Sequence, residues 1–150
     1  MVAGVTYRFT VRARNDAGLG DASASFSIQA ATPPSAPETP TVVFQNEQTI
    51  EIAWTAPGDD GASTILEYVI YWDQGSGNYV PLATTEASTF DYARTTGLTK
   101  GDLYAFKVAA VNAIGEGNQS EPALAVLAAR VPDAPSGLSK ISTSAEHITF

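Results

Sequence analysis

His147 is the only histidine in the 150-residue chain, and there is no cysteine. Catalysis by a serine or cysteine nucleophile needs that nucleophile beside a base beside an orienting acid, and one histidine at a strand start supplies a single part. Asp59 and Asp60 are adjacent carboxylates that could join a calcium site, which takes about six to eight oxygens. Followed by Gly61, they fit a turn, where Asp bonds nearby backbone and Gly supplies positive φ. Gly115-x-Gly117 after Asn112 has the outline of a phosphate-binding loop. It leads from one strand into another, however, and the helix N-terminus that would hold the anion is missing. The two glycines read instead as loop residues that need positive φ. Asn118-Gln119-Ser120 is an N-glycosylation sequon, which makes Asn118 a candidate modified residue. Arg8, Arg12 and Arg14 share one strand face and could meet an anionic polymer, although a solvated strand face explains them better, since the later copy has Ala105, Ala109 and Val111 there. No catalytic residue, no metal and no cofactor are expected.

The composition narrows the classes further. Charged residues make up 16% and hydrophobic ones 44%, which fits a globular chain and excludes a disordered polyelectrolyte. No apolar run approaches the roughly 18 residues of a membrane helix, so no membrane contact is expected. The first residues, Met1-Val2-Ala3-Gly4-Val5, show no basic stretch followed by a long apolar one, hence no visible secretion signal. The net charge is −8, and from Pro37 to Val131 four basic residues face twelve acidic ones. That balance disfavours nucleic acid, whose phosphates demand clustered Lys and Arg. Without cysteine, the core must hold by packing alone.

What must position any site is a repeat. Gly4-Val5-Thr6-Tyr7-Arg8-Phe9-Thr10-Val11, with Asn15, Gly18, Gly20 and Ser23 beyond it, reappears as Gly101-Asp102-Leu103-Tyr104-Ala105-Phe106-Lys107-Val108, with Asn112, Gly115, Gly117 and Ser120. The spacing is about 97 residues and becomes about 98 at Pro34-Ser35-Ala36-Pro37, which meets Pro132-Asp133-Ala134-Pro135; Ile50 and Ile52 meet Ile148 and Phe150. Residues 1–34 are therefore expected to be the last two strands of one repeat, 35–132 a complete repeat, and 133–150 the opening of a third. The flanking pieces are expected to be loosely structured or to pair through open edges. Thr32-Pro33-Pro34-Ser35-Ala36-Pro37 is proline-rich and so a semi-rigid connection. Inside the complete repeat, Ile50/Ile52/Trp54, Tyr68/Ile70/Trp72 and Tyr104/Phe106/Val108/Ala110 alternate with other residues. That is the period of strands with one buried face, and about seven of them predict an all-β sandwich.

Trp54-Thr55-Ala56-Pro57, Asp60-Gly61, Ile65-x-x-Tyr68-x-Ile70-x-Trp72 and Leu98-x-x-Gly101-x-x-Tyr104-x-Phe106-x-Val108-x-Ala110-x-Asn112 resemble the fibronectin type III family. The resemblance implies an immunoglobulin-like, seven-stranded antiparallel β-sandwich with Greek-key connections. It also implies a corner in which the Tyr104 hydroxyl reaches backbone near Leu98. If the third, sixth and seventh strands share a sheet, its outer face carries Val69, Tyr71, Ala109, Val111 and Leu127, an apolar set that marks a candidate protein-contact face. The expected function is a non-catalytic spacer, adhesion or scaffold module of a tandem-repeat protein. It would be monomeric in itself, with protein partners or neighbouring repeats as its contacts. The family's integrin-binding Arg-Gly-Asp is absent. The alternative is an accessory module of a secreted enzyme, such as one acting on polysaccharide. The sequon favours an extracellular or cell-surface setting over a cytoplasmic or cytoskeletal one.

Overall fold

A computed structural model describes residues 1–130, 132, 134–137, 142, 143, 148 and 149. His147 lies outside the described residues. Thirteen short strands occur among them: β1 (Thr6–Phe9), β2 (Arg12–Asn15), β3 (Gly18–Ala22), β4 (Phe26–Gln29), β5 (Thr41–Gln45), β6 (Ile50–Ala53), β7 (Ile65–Trp72), β8 (Val80–Glu86), β9 (Asp91–Arg94), β10 (Leu103–Asn112), β11 (Leu124–Leu127), β12 (Ser142–Thr143) and β13 (Ile148–Thr149).

Seven of these build the central sandwich. One sheet runs β5-β6-β9 and the other β11-β10-β7-β8, all neighbours antiparallel. Alternation dictates what meets in between. Across β7 and β10, Trp72 pairs with Phe106, Ile70 with Val108 and Tyr68 with Ala110, so these inward pairs are hydrophobic. Ile50, Ile52 and Trp54 close the core from the facing sheet. Tyr68, Phe106, Ile50, Ile52 and Ile70 are each 1% exposed or less, and aromatic side chains of this kind remove about 150–250 Å² apiece from water. Trp54 meets Tyr68 edge to face at 5.7 Å, and Trp72 stacks on Tyr104 at 5.7 Å. The Tyr104 hydroxyl accepts the Thr99 N–H at 2.8 Å, the corner expected near Leu98.

The tandem pattern extends to individual hydrogen bonds. Tyr7 accepts the Val2 N–H at 2.8 Å as Tyr104 does that of Thr99. Ser23 Oγ accepts the Val11 N–H at 3.0 Å, and Ser120 Oγ accepts that of Val108 at 3.0 Å. β1 pairs with β4 and β2 with β3, so the N-terminal residues form paired strands where β10 and β11 stand in the central repeat. Burial separates the two copies: Phe9 is 45% exposed and its counterpart Phe106 1%. At the other end Thr143 pairs with Ile148 and Ser142 with Thr149, the register of Gln45 with Ile50 and Phe44 with Glu51.

Candidate functional site

The outer face of the four-stranded sheet is built by the odd positions of β7 and β10. Val69 stands opposite Ala109, Tyr71 opposite Lys107 and Glu67 opposite Val111. Leu127 pairs with Leu103 at the far end. This is the candidate protein-contact face, and its residues differ in exposure. Val69 is only 8% exposed and Ala109 is fully buried, while Tyr71 and Val111 are half-buried. The physical reason is the reach of one side chain. The Tyr71 hydroxyl donates to Glu116 Oε1 at 2.7 Å, and Glu116 bridges to Val111 on the opposite side of β10. The Tyr71 and Glu116 side chains together therefore span β10. Beside them Lys107 pairs with Glu121 and lies 4.5 Å from the centre of the Tyr79 ring, so polar heads roof the face while apolar stems lie beneath. Leu127 and Leu103 remain open.

Burial, followed by the hydrogen bond to Glu116, pushes the Tyr71 hydroxyl up to about 12 from its ordinary 10.0. The folded chain thus holds this proton more tightly than the unfolded chain does. The resulting stability is complete below pH 10 and is lost as pH climbs through 12. Tyr71→Phe is expected to remove an absorbance step near pH 12 and to flatten the stability profile across that window. A lost step near pH 10 instead refutes the roofed arrangement.

The remaining candidates divide cleanly. Asp59 Oδ1 accepts the Gly61 N–H and Asp60 Oδ1 the Ala62 N–H, each at 2.9 Å, so each carboxylate shapes the turn. No group of three or more potential metal ligands occurs among the described residues. Asn118 is exposed, but the serine of its sequon is fully buried and committed to the Val108 amide. Arg8, Arg12 and Arg14 stand exposed on β1 and β2. Gly115 has a φ of 152°, as a loop glycine can. Gly117 does not take positive φ; a Cβ there would sit 2.2 Å from the Pro34 carbonyl oxygen. Its requirement is close approach, not conformational freedom.

That approach leads to a residue that strand periodicity alone passes over. Asn112 is 2% exposed and occupies the inward register of Tyr104, Phe106, Val108 and Ala110, a polar side chain in an apolar series. Its Nδ2 donates to Thr32 O at 2.7 Å and Asp60 O at 2.8 Å. Its Oδ1 accepts from Ile114 and Gly115 at 2.9 and 3.2 Å. Both donors and both acceptor positions of the amide are filled. The signal was present in the sequence as the recurrence of Asn15 at Asn112 within an otherwise apolar period.

Known proteins agree with this geometry. Residues 35–126 match the model of the fibronectin type III domain. The chain is similar to human Myomesin-2 (Homo sapiens), 34% identical over 81% of this chain and 9% of that protein. It is likewise similar to M-protein of striated muscle from Gallus gallus, 33% identical over 79% of this chain and 8% of that protein. It thus spans less than a tenth of either relative's length. A crystal structure of titin domains superposes with a TM-score of 0.63 at 21% identity, covering 82% of this chain and 41% of that one, which speaks for the fold. The expected extracellular or cell-surface setting is contradicted by these relatives, one of them named as a protein of striated muscle. The sequon misled because its serine belongs to the repeat, recurring as Ser23, whereas Asn118 answers to Asp21. In sequence pattern, sandwich topology and corner geometry alike, the chain belongs to the fibronectin type III family.

Proposed function

We propose that this chain is a non-catalytic spacer and docking segment of a tandem-repeat scaffold of the cytoskeletal kind. Residues 35–132 are its complete repeat, and 1–34 and 133–150 are parts of its neighbours. The observation that carries the reading is the recurrence of the same hydrogen bonds, Tyr7 with Tyr104 and Ser23 with Ser120, at the repeat spacing. Muscle relatives built on a far larger scale support it. Protein contacts belong to the outer face of the four-stranded sheet, entered at its open Leu103 and Leu127 end and bordered by Tyr71 and Val111.

A spacer carries load through independently folded units. Held at its two ends in a force spectrometer, the chain is expected to show one dominant unfolding step. That step should lengthen it by roughly 300 Å, the reach of about 98 residues at 3.3–3.6 Å each less the folded span. Gradual extension without a discrete step overturns the reading.

A further inference from the structure

Between the N-terminal strands and the central sandwich the backbone is claimed from both sides almost without a gap. Ala30 donates to Val5 O at 2.9 Å and accepts from Gly4 at 2.8 Å, so it belongs to the N-terminal strands. Thr32 donates to Gly61 O at 2.9 Å, and its carbonyl accepts from Asn112 Nδ2 at 2.7 Å, so it belongs to the central repeat. Ala31 alone lies between. Beyond it Pro33 and Pro34 have φ fixed by their rings, and Thr32, preceding a proline, is held in extended conformations.

We propose that Asn112, Gly61 and Gly117 form a clamp that fixes the direction in which one repeat leaves the next, making successive repeats a single oriented body. The proposal rests on the tandem-scaffold reading and deepens it. Gly61 and Gly117 grip the connection from opposite loops. A Cβ on Gly61 would lie 2.0 Å from Thr32 O, and one on Gly117 2.2 Å from Pro34 O, so only glycine admits the strand at either place. Gly61 also has a φ of 73°. Pro34 is buried in the grip. Ser35 continues the hold, donating to Asp59 O at 2.9 Å while its Oγ accepts the Asp59 N–H at 3.2 Å. A Cβ on Gly4, whose N–H donates to Ala30 O, would lie 3.8 Å from the Ala62 methyl of the same gripping loop. Asn15 and Gly20 stand where Asn112 and Gly117 stand one repeat later. Two of the three clamp residues, Asn112 and Gly117, are therefore part of the repeat pattern.

Asn112 has the chemistry for this task. Its four filled positions tie the incoming chain, the Asp60 turn and its own loop to one planar group. A buried amide saturated in this way is costly to disturb, because any partner removed leaves a desolvated group behind.

The absence of cysteine makes site-directed spin labelling direct. Labels at Ser27→Cys and Ser88→Cys, both exposed positions, report the orientation of the N-terminal strands against the sandwich. The unaltered chain so labelled is expected to give one narrow distance distribution, and the Thr32 amide to exchange slowly. Asn112→Ala should broaden the distribution severalfold and speed Thr32 exchange about tenfold, the worth of one lost hydrogen bond. Val108 exchange should stay slow. Gly117→Ala, which displaces Pro34 and leaves the Asn112 amide intact, should broaden the distribution likewise and decides the matter if Asn112→Ala does not fold. Unprotected Thr32 exchange or a broad distribution in the unaltered chain overturns the clamp, as does an unchanged distribution in the folded variants. A broad distribution alongside the discrete unfolding step keeps the spacer and removes only the clamp.

Discussion

Trp54→Ala is expected to abolish cooperative unfolding of the central sandwich, or to shift its midpoint drastically, at a cost of about 3–5 kcal/mol. Trp54 is 6% exposed and packs edge to face on Tyr68, itself 1% exposed. Tyr68 in turn lies 5.6 Å from Phe90, so truncation opens a void beneath two further rings. The indole Nε1 is buried without a hydrogen-bond partner, which means that the residue stabilises through packing alone. A repeat of this length has a total stability of about 5–15 kcal/mol, and no disulfide stands behind the core. The measurement is urea denaturation followed by far-UV circular dichroism. An unchanged midpoint would place Trp54 outside the core.

Ser120→Ala should cost about 1–3 kcal/mol, the penalty for leaving a buried amide without its acceptor. Ser120 and Val108 are both fully buried, and the Ser120 hydroxyl accepts the Val108 N–H at 3.0 Å in the middle of β10. The chain contains its own control. Ser23 makes the same 3.0 Å bond to Val11, but Val11 is 73% exposed and water can replace the lost acceptor. Ser23→Ala is therefore expected to leave the main thermal transition in place. Equal shifts for the two variants would show that burial does not set the cost.

The contrast between these residues shows what could be read in the sequence and what could not. Trp54, Tyr68, Ile70 and Trp72 announce themselves because period-2 alternation depends on the strand alone, and the corner at Tyr104 was expected from the family resemblance. The burial of Val69 and Ala109 depends on Tyr71 reaching Glu116, a residue 45 positions away, and no local periodicity carries that information. Gly117 was legible as a loop glycine and illegible as a contact surface for Pro34, since the two meet only after the sandwich closes. The compartment was misread for a related reason. Ser120 is present for the Val108 amide, so a motif completed by it says little about modification. Asn112 lay between these cases, visible as an anomaly in a strand and interpretable only once Thr32 stood beside it.

The single unheld residue at Ala31 has a geometric consequence. A joint with one free residue passes rotation as well as tension from one unit to the next. Identical joints applied in series generate a screw axis, along which equivalent surfaces return at a fixed azimuth and rise. A docking face borne by each repeat would then wind along the filament as a helical stripe. Its pitch is set at the joints, and a partner with matching periodicity could read it as a ruler.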